Sequence, residues 1–244
     1  MADILIKSLH TAAEMAECQS VQMATWAMPD AAESVPVHQL LTAAKYGGLV
    51  LGAYDGDRLV GLSYSFVGLH EARPVWCSHM LAVLPEYRGK GIGLQLKLEQ
   101  RRHALERGIT SIHWTFDPLE LVNGTLNIRR LGGLSRTYVR DLYGSMQDGL
   151  NAGLPSDRLL VEWEVDSERV RRALEDEAAP IPDTEEIAIP AHPKFQEIRG
   201  TDPAEALRLR LGVRAAFEAA FAAGYVLTGV EGYQYILTRE EGPR

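Results

Sequence analysis

The sequence predicts a mixed α/β fold: a mostly antiparallel sheet flanked by helices, followed by a small C-terminal αβ appendage. Three observations carry this. Short apolar runs rich in β-formers are separated by turn residues, as in Leu49 to Tyr54, Asp55-Gly56 and Arg58 to Val67. A strand–loop–helix–strand unit runs from Val75 to Phe116. Late in the chain, Asp202-Pro203-Ala204-Glu205 opens a long helix that is followed by a strand pair around Glu231-Gly232. The 244 residues suffice for one large domain, or for one domain and a small appendage.

Each element has a local reason. Ile4 to Lys7 reads as a strand. Thr11 with Glu14 forms a capping-box pattern, so a helix should run to about Trp26. A second helix, Val37 to Tyr46, should stop at Gly47-Gly48, because glycine accepts the left-handed cap conformation. After the hairpin come a strand from Val75 to Val83, a loop from Pro85 to Lys90 and a helix from Gly93 to Arg107. A strand from Ser111 to Phe116 closes at Asp117-Pro118, and a helix around Leu126 to Leu131 ends at Gly132-Gly133. Tyr138 to Leu142 and Leu159 to Val165 read as strands. Residues 1–166 thus read as the main domain and 167–186 as a linker, acidic and proline-bearing. Residues 187–244 read as the appendage: a strand at Ile187 to Ile189, a helix to about Ala222, and the strands Tyr225 to Val230 and Tyr233 to Thr238.

Composition narrows the function. Hydrophobic residues make up 46% and charged residues 24%, ordinary for a soluble globular protein. No apolar run approaches the roughly 18 residues of a membrane span, and Met1 to Lys7 does not read as a signal peptide. The two cysteines, Cys18 and Cys77, lack metal-ligand spacing and read as free thiols of a cytoplasmic protein. A net charge of −8 argues against coating nucleic acid. Any anionic ligand must therefore be held by local features, and no metal is expected.

One such feature is the loop Arg88-Gly89-Lys90-Gly91-Ile92-Gly93, between a strand and a helix start. Helix N-termini present unpaired amides, and glycines let that backbone approach a pyrophosphate closely. Spacing separates the families of such cradles. The mononucleotide pattern, with Gly-Lys followed by Ser or Thr, is absent. The dinucleotide pattern fails because its last glycine would fall on Leu94 or Leu96. The pattern Arg-x-x-Gly-x-Gly is met by Arg88, Gly91 and Gly93.

This loop resembles the acetyl-CoA loop of the GCN5-related N-acetyltransferase superfamily, and the resemblance covers most of residues 4–165. It implies a fold built around a bulged signature strand whose backbone pairs with the pantetheine arm, a role that falls on Leu81, Ala82 and Val83. It implies that the amides from Arg88 through Gly89, Lys90, Gly91 and Ile92 to Gly93 hold the pyrophosphate, and that Asn127 assists the arm near the thioester. A narrower resemblance, to a poorly characterised bacterial subgroup with links to amino-acid N-acylation and N-succinylation, rests on Trp114 to Leu119, Asn123, Asn127, Leu131-Gly132, Tyr143-Gly144, Met146, Asp148 and Leu150 to Arg158. One departure matters. Many members carry a tyrosine, the acid for the leaving thiolate, four residues before the Gly of their Leu-Gly pair; here that position is Ile128.

Acyl transfer from a thioester to an amine needs a proton acceptor, donors for the oxyanion and an acid for the thiolate. His79 is a candidate acceptor, against a packing role as a core histidine. Tyr143 and Tyr138 are candidate acids, against ordinary packing. Asp117 either binds the acceptor amine or caps the Asp-Pro turn. Arg158 either clamps an acceptor carboxylate or pairs with an aspartate to hold its loop shut. The co-substrate implied is acetyl-CoA or another acyl-CoA, including succinyl-CoA, and the partner is a small-molecule amine. The amphipathic tail helix should pack on the core or on a second subunit, as in a homodimer, rather than on membrane. The alternatives are a catalytically silent acyl-CoA-binding regulatory module, or an enzyme acting on protein lysines or aminoglycosides.

Overall fold

The computed structural model describes residues 4–144, 153–176 and 178–239. Met146, Asp148 and the run from Leu150 to Ala152 lie outside the described residues. The chain packs as two compact units, residues 4–113 and residues 114–144 with 153–239.

The first unit opens with β1 (Ile4–Ser8) and α1 (Ala12–Trp26), whose capping box forms as its sequence specifies. Helix α2 (Val37–Lys45) follows, then β2 (Leu49–Asp55), β3 (Arg58–His70) and β4 (Arg73–Val83). Helix α3 (Ile92–Glu106) leads to β5 (Ser111–Phe116), whose first three residues belong to this unit. The sheet order is β1-β2-β3-β4-β5, antiparallel except for the parallel β4–β5 pair. Strands β3 and β4 run further toward their shared turn than the turn residues suggested, because Glu71 and Ala72 take positive φ (49° and 63°) without a glycine.

The second unit holds the rest of β5, then α4 (Leu121–Gly124), which continues as a six-residue π-helical turn, Thr125–Arg130. Strand β6 (Leu134–Val139) starts four residues earlier than expected, directly after the glycine pair; Leu142 lies in the turn beyond. Strand β7 (Arg158–Glu164) pairs antiparallel with β6. Helix α5 (Glu168–Glu175) occupies part of the segment read as linker. Ser167 caps it, a signal hidden by the acidic, proline-bearing composition around it. Then come β8 (Glu186–Pro190), α6 (Phe195–Thr201), α7 (Pro203–Ala222), β9 (Tyr225–Glu231) and β10 (Gln234–Arg239). The strand order here is β7-β6-β9-β10-β8. Its core mixes early and late residues: Phe116, Ile128 and Val161 pack with Phe217, Leu227 and Tyr235. Burying one large apolar side chain contributes about 1.5–3 kcal/mol, so the late strands and α7 are part of what holds the Leu121–Arg130 helix in place.

Candidate functional site

In the first unit the site is built on β4 and the loop after it. The β3–β4 register shifts between Tyr64 and Ser65: Tyr64 faces Met80 while Ser65 faces Ser78, leaving His79 as the extra residue. A bulge of this kind turns a side chain out of the strand's alternation. Accordingly, the His79 ring joins Tyr64 (5.9 Å between centroids) and Phe66 (6.1 Å) on one face. It is open to solvent at its edge yet flanked by these rings, and burial lowers its pKa below the ordinary histidine value, which keeps it neutral near pH 7. Among the described residues, β4 pairs with β5 only at Trp76 and Cys77. From Ser78 to Val83, a stretch that includes Leu81, Ala82 and Val83, its edge away from β3 pairs with no described strand. That free row of amides and carbonyls can accept an extended ligand as a strand would.

The loop then turns into α3. Gly89 and Gly91 hold left-handed φ values of 74° and 79°, and Gly91 is the N-cap of α3 with no side chain capping it. The first-turn amides, starting at Ile92 and Gly93, therefore point outward without a protein acceptor from the cap. A Cβ added at Gly89 or Gly91 would meet no atom within 4 Å, so the space above the loop is open. Arg88 acts differently from a phosphate ligand in waiting: its guanidinium donates to the Thr25 carbonyl (3.0 Å) and the Val83 carbonyl (3.4 Å), tying the loop to α1 and β4. Lys90 stands 4.4 Å over the Tyr87 ring, and Tyr87 donates to Asp55 Oδ2 at 2.7 Å. Lys90 is exposed.

In the second unit, three further candidates come together. The Tyr143 hydroxyl lies 3.1 Å from Thr115 Oγ1, and the Arg158 guanidinium sits 5.3 Å from the Tyr143 ring centroid. Arg158 also reaches Asp117 at 3.7 Å and donates to the Asp157 carbonyl at 2.8 Å. Asp117 caps its turn by accepting from the Leu119 amide (2.8 Å), and both its oxygens accept from Arg210 (2.7 and 2.6 Å). A carboxylate matched in this bidentate way keeps little negative field for an acceptor ammonium. Tyr138 donates to Asp157 Oδ2 (2.8 Å) and stacks on Phe217, which makes it part of the packing. Burial, followed by that bond to a carboxylate, drives its pKa far above the usual tyrosine range. Asn127 lies on the π-helical turn at 5% exposure, and its side-chain amide bonds to no described residue. Ile128 beside it is fully buried in the unit's core.

Sequence reasoning missed two groups. Lys97 and Gln100 on α3 are buried with Ser65 and Ser78. Gln100 falls four residues after Leu96 and four before Ala104, so its place in the buried stripe was readable from helical spacing. Arg210 and Arg214 on α7 reach Asp117 and Asp157, and that pairing carries no local signal.

The bulged strand, with its edge beyond Cys77 unpaired among the described residues, runs into a glycine-capped helix start. Residues 14–121 match the acetyltransferase (GNAT) family. Solved structures share the fold. The ribosomal-protein-S18-alanine N-acetyltransferase from Escherichia coli is 16% identical; the match covers 68% of this chain and 96% of that one, with a TM-score of 0.52. A Salmonella typhimurium protein assigned as an acetyltransferase, with its cofactor acetyl-CoA, is 14% identical over 68% and 96% of the two chains, TM-score 0.53. An aminoglycoside 6′-acetyltransferase of type Ii is 16% identical over 67% and 99%, TM-score 0.52. No curated protein sequence matches the chain.

Proposed function

We propose that the chain transfers an acyl group, acetyl or succinyl, from coenzyme A to the amine of a small molecule, by direct attack in a ternary complex. Our preferred acceptor is an amino acid or a related carboxylate-bearing amine. The observation that carries the reading is the uncapped start of α3 behind Gly89 and Gly91, with open space above it and the unpaired edge of β4 leading away. These features fit coenzyme A: the amides at Ile92 and Gly93 with Lys90 would hold its pyrophosphate, and Leu81 to Val83 its pantetheine arm. Bound there, the acyl-CoA supplies a thioester carbonyl open to a nucleophile.

This chain's own groups then divide the work. Neutral His79 takes the proton of the attacking amine, directly or through water. Backbone amides at the bulge, Met80 and Leu81, face the developing oxyanion. Tyr143, with its hydroxyl set by Thr115, is the donor to the leaving thiolate. Asp117 serves by orienting Arg158 and Arg210, and Arg158 meets the acceptor's carboxylate. The fold leaves the acceptor open, since the similar structures include enzymes named for a ribosomal protein and for an aminoglycoside.

Ile128 supports a second reading, a silent acyl-CoA-binding regulator, because an isoleucine sealed in the core can donate no proton. One experiment separates the two: thiol release from acetyl-CoA and succinyl-CoA, measured with amino acids of both hands and with other small amines. Turnover with one amine class supports transfer. Saturable CoA binding with no turnover of any amine establishes the regulator.

A further inference from the structure

Lys97 is 1% exposed, and its ammonium nitrogen donates to Ser78 Oγ (3.1 Å) and Gln100 Oε1 (2.8 Å). Gln100 in turn donates to Ser78 Oγ (3.0 Å) and to Ser65 Oγ. Ser65 and Ser78 are register partners, the last pair before the β4 bulge. The four polar side chains thus form a knot between α3 and the strands at the place where His79 is squeezed out of alternation. Burying a lysine is expensive, and a serine pair under an apolar helix would pack as well with leucine above it. The knot offsets that cost only if it fixes something that apolar packing would leave free.

We infer that Lys97 is a positioning residue for acyl transfer: with Gln100 it pins the β4 bulge at His79, and so sets the direction of the His79 ring and of the Met80 and Leu81 amides. The inference rests on the acyl-transfer reading above. A one-residue slip of a bulge exchanges the faces of the residues it passes. Without the knot the extra residue can migrate to Ser78, which would pair His79 with Ser65 and turn it to the face of α3. Burial pushes the Lys97 pKa well below the usual lysine value. Burial is also what lowers His79, so His79's own titration reports where its ring stands.

The test uses the full chain and two variants, Lys97→Met, which keeps the volume and removes the donors, and Ser78→Ala, which changes least. The His79 imidazole is titrated by NMR, and amide exchange is followed at Met80 and Leu81. In either folded variant the His79 midpoint should shift from its native value, downward where the ring turns under α3, and exchange at the two amides should quicken at least about tenfold relative to β2. CoA affinity should stay within about threefold, since the α3 start is untouched. With the most active amine of the panel, kcat should fall roughly tenfold or more while KM for acetyl-CoA stays within about twofold, as misplacement of reacting groups predicts. An unchanged His79 titration together with unchanged amide exchange in both variants overturns the inference. His79→Gln keeps the two readings apart: if it turns over normally while Lys97→Met still shifts the bulge amides and lowers kcat, the proton-acceptor role falls and the positioning role stands.

Discussion

At the scale of single residues, Gly91 has two separable reasons to be glycine. Its φ of 79° strains any L-residue, by about 1–2 kcal/mol, and its missing side chain keeps the α3 start open. Gly91→Ala should therefore lower stability modestly and weaken CoA binding little. Gly91→Trp should abolish CoA binding by calorimetry while the chain stays folded by circular dichroism; unchanged affinity in that variant would falsify the cradle. Asp157 makes the opposite case, a buried charge whose worth is structural. It is fully buried and takes Arg214 at 2.8 Å on both oxygens. Asp157→Ala should cost about 3–5 kcal/mol, because it strands Arg214 and Tyr138; chemical denaturation measures it.

At the scale of elements, the Asn127 helix is held from two sides. A Cβ on Gly124 would lie 2.6 Å from the Tyr235 hydroxyl, and that hydroxyl donates to the Pro118 carbonyl at 2.8 Å. Gly124→Ala should destabilise by about 1–3 kcal/mol, the usual cost of overpacking, and should move the amide resonance of Asn127. On the other side, Arg169 donates to the carbonyls of Gly132 (3.0 Å), Pro180 and Thr228. No carboxylate pairs with it among these contacts, and burial lowers its pKa to about 10. Arg169→Met should cost at least about 2 kcal/mol, since each buried carbonyl left bare costs about 1–3 kcal/mol.

These contacts show what the sequence could and could not tell. The Arg88 to Gly93 loop was legible because its spacing, its strand and its helix lie within a few residues of one another. The capping box of α1 and the Asp-Pro start of α7 were legible for the same reason. The Asp117–Arg210 pair spans 93 residues and leaves no local trace. The knot at Lys97 was hidden because a lysine in a helix reads as a solvated charge unless its neighbours in space are known. Residues 167–186 looked like a tether because proline and acidic residues set composition, while the packing of Ile181 against Gly229 and the bond from the Ala179 amide to the Arg129 carbonyl depend on distant partners.

At the scale of the molecule, stability should fall with acid in stages. Burial depresses His79, so protons favour the unfolded chain as pH drops below about 6.5. Glu14 is lowered to about 2, first by the His10 amide and then, against an opposing cost of burial, by the Thr11 amide and hydroxyl. For Asp157 burial pushes upward, yet the bonds from Arg214, the Asp141 amide and Tyr138 outweigh it and the net shift is downward. Both carboxylates contribute fully above their unfolded values, 4.5 and 3.8, and lose that contribution as pH falls through their depressed folded values, about 2 for Glu14. Half-buried Glu120, raised by desolvation, works the other way. Urea midpoints should therefore decline from pH 7 to pH 3; a midpoint that rises over that range would overturn the assignment.

The contact between Tyr235 and Pro118 also has a meaning in time. The two residues are 117 positions apart. A ribosome adding about 5–20 residues per second leaves the Asn127 helix waiting for several seconds without the strand that seals it. The first unit can close during that interval, since β1 to β4 and α3 precede it. Newly made chains should therefore close the first unit, with its glycine loop, before the strand that seals the Asn127 helix has been made.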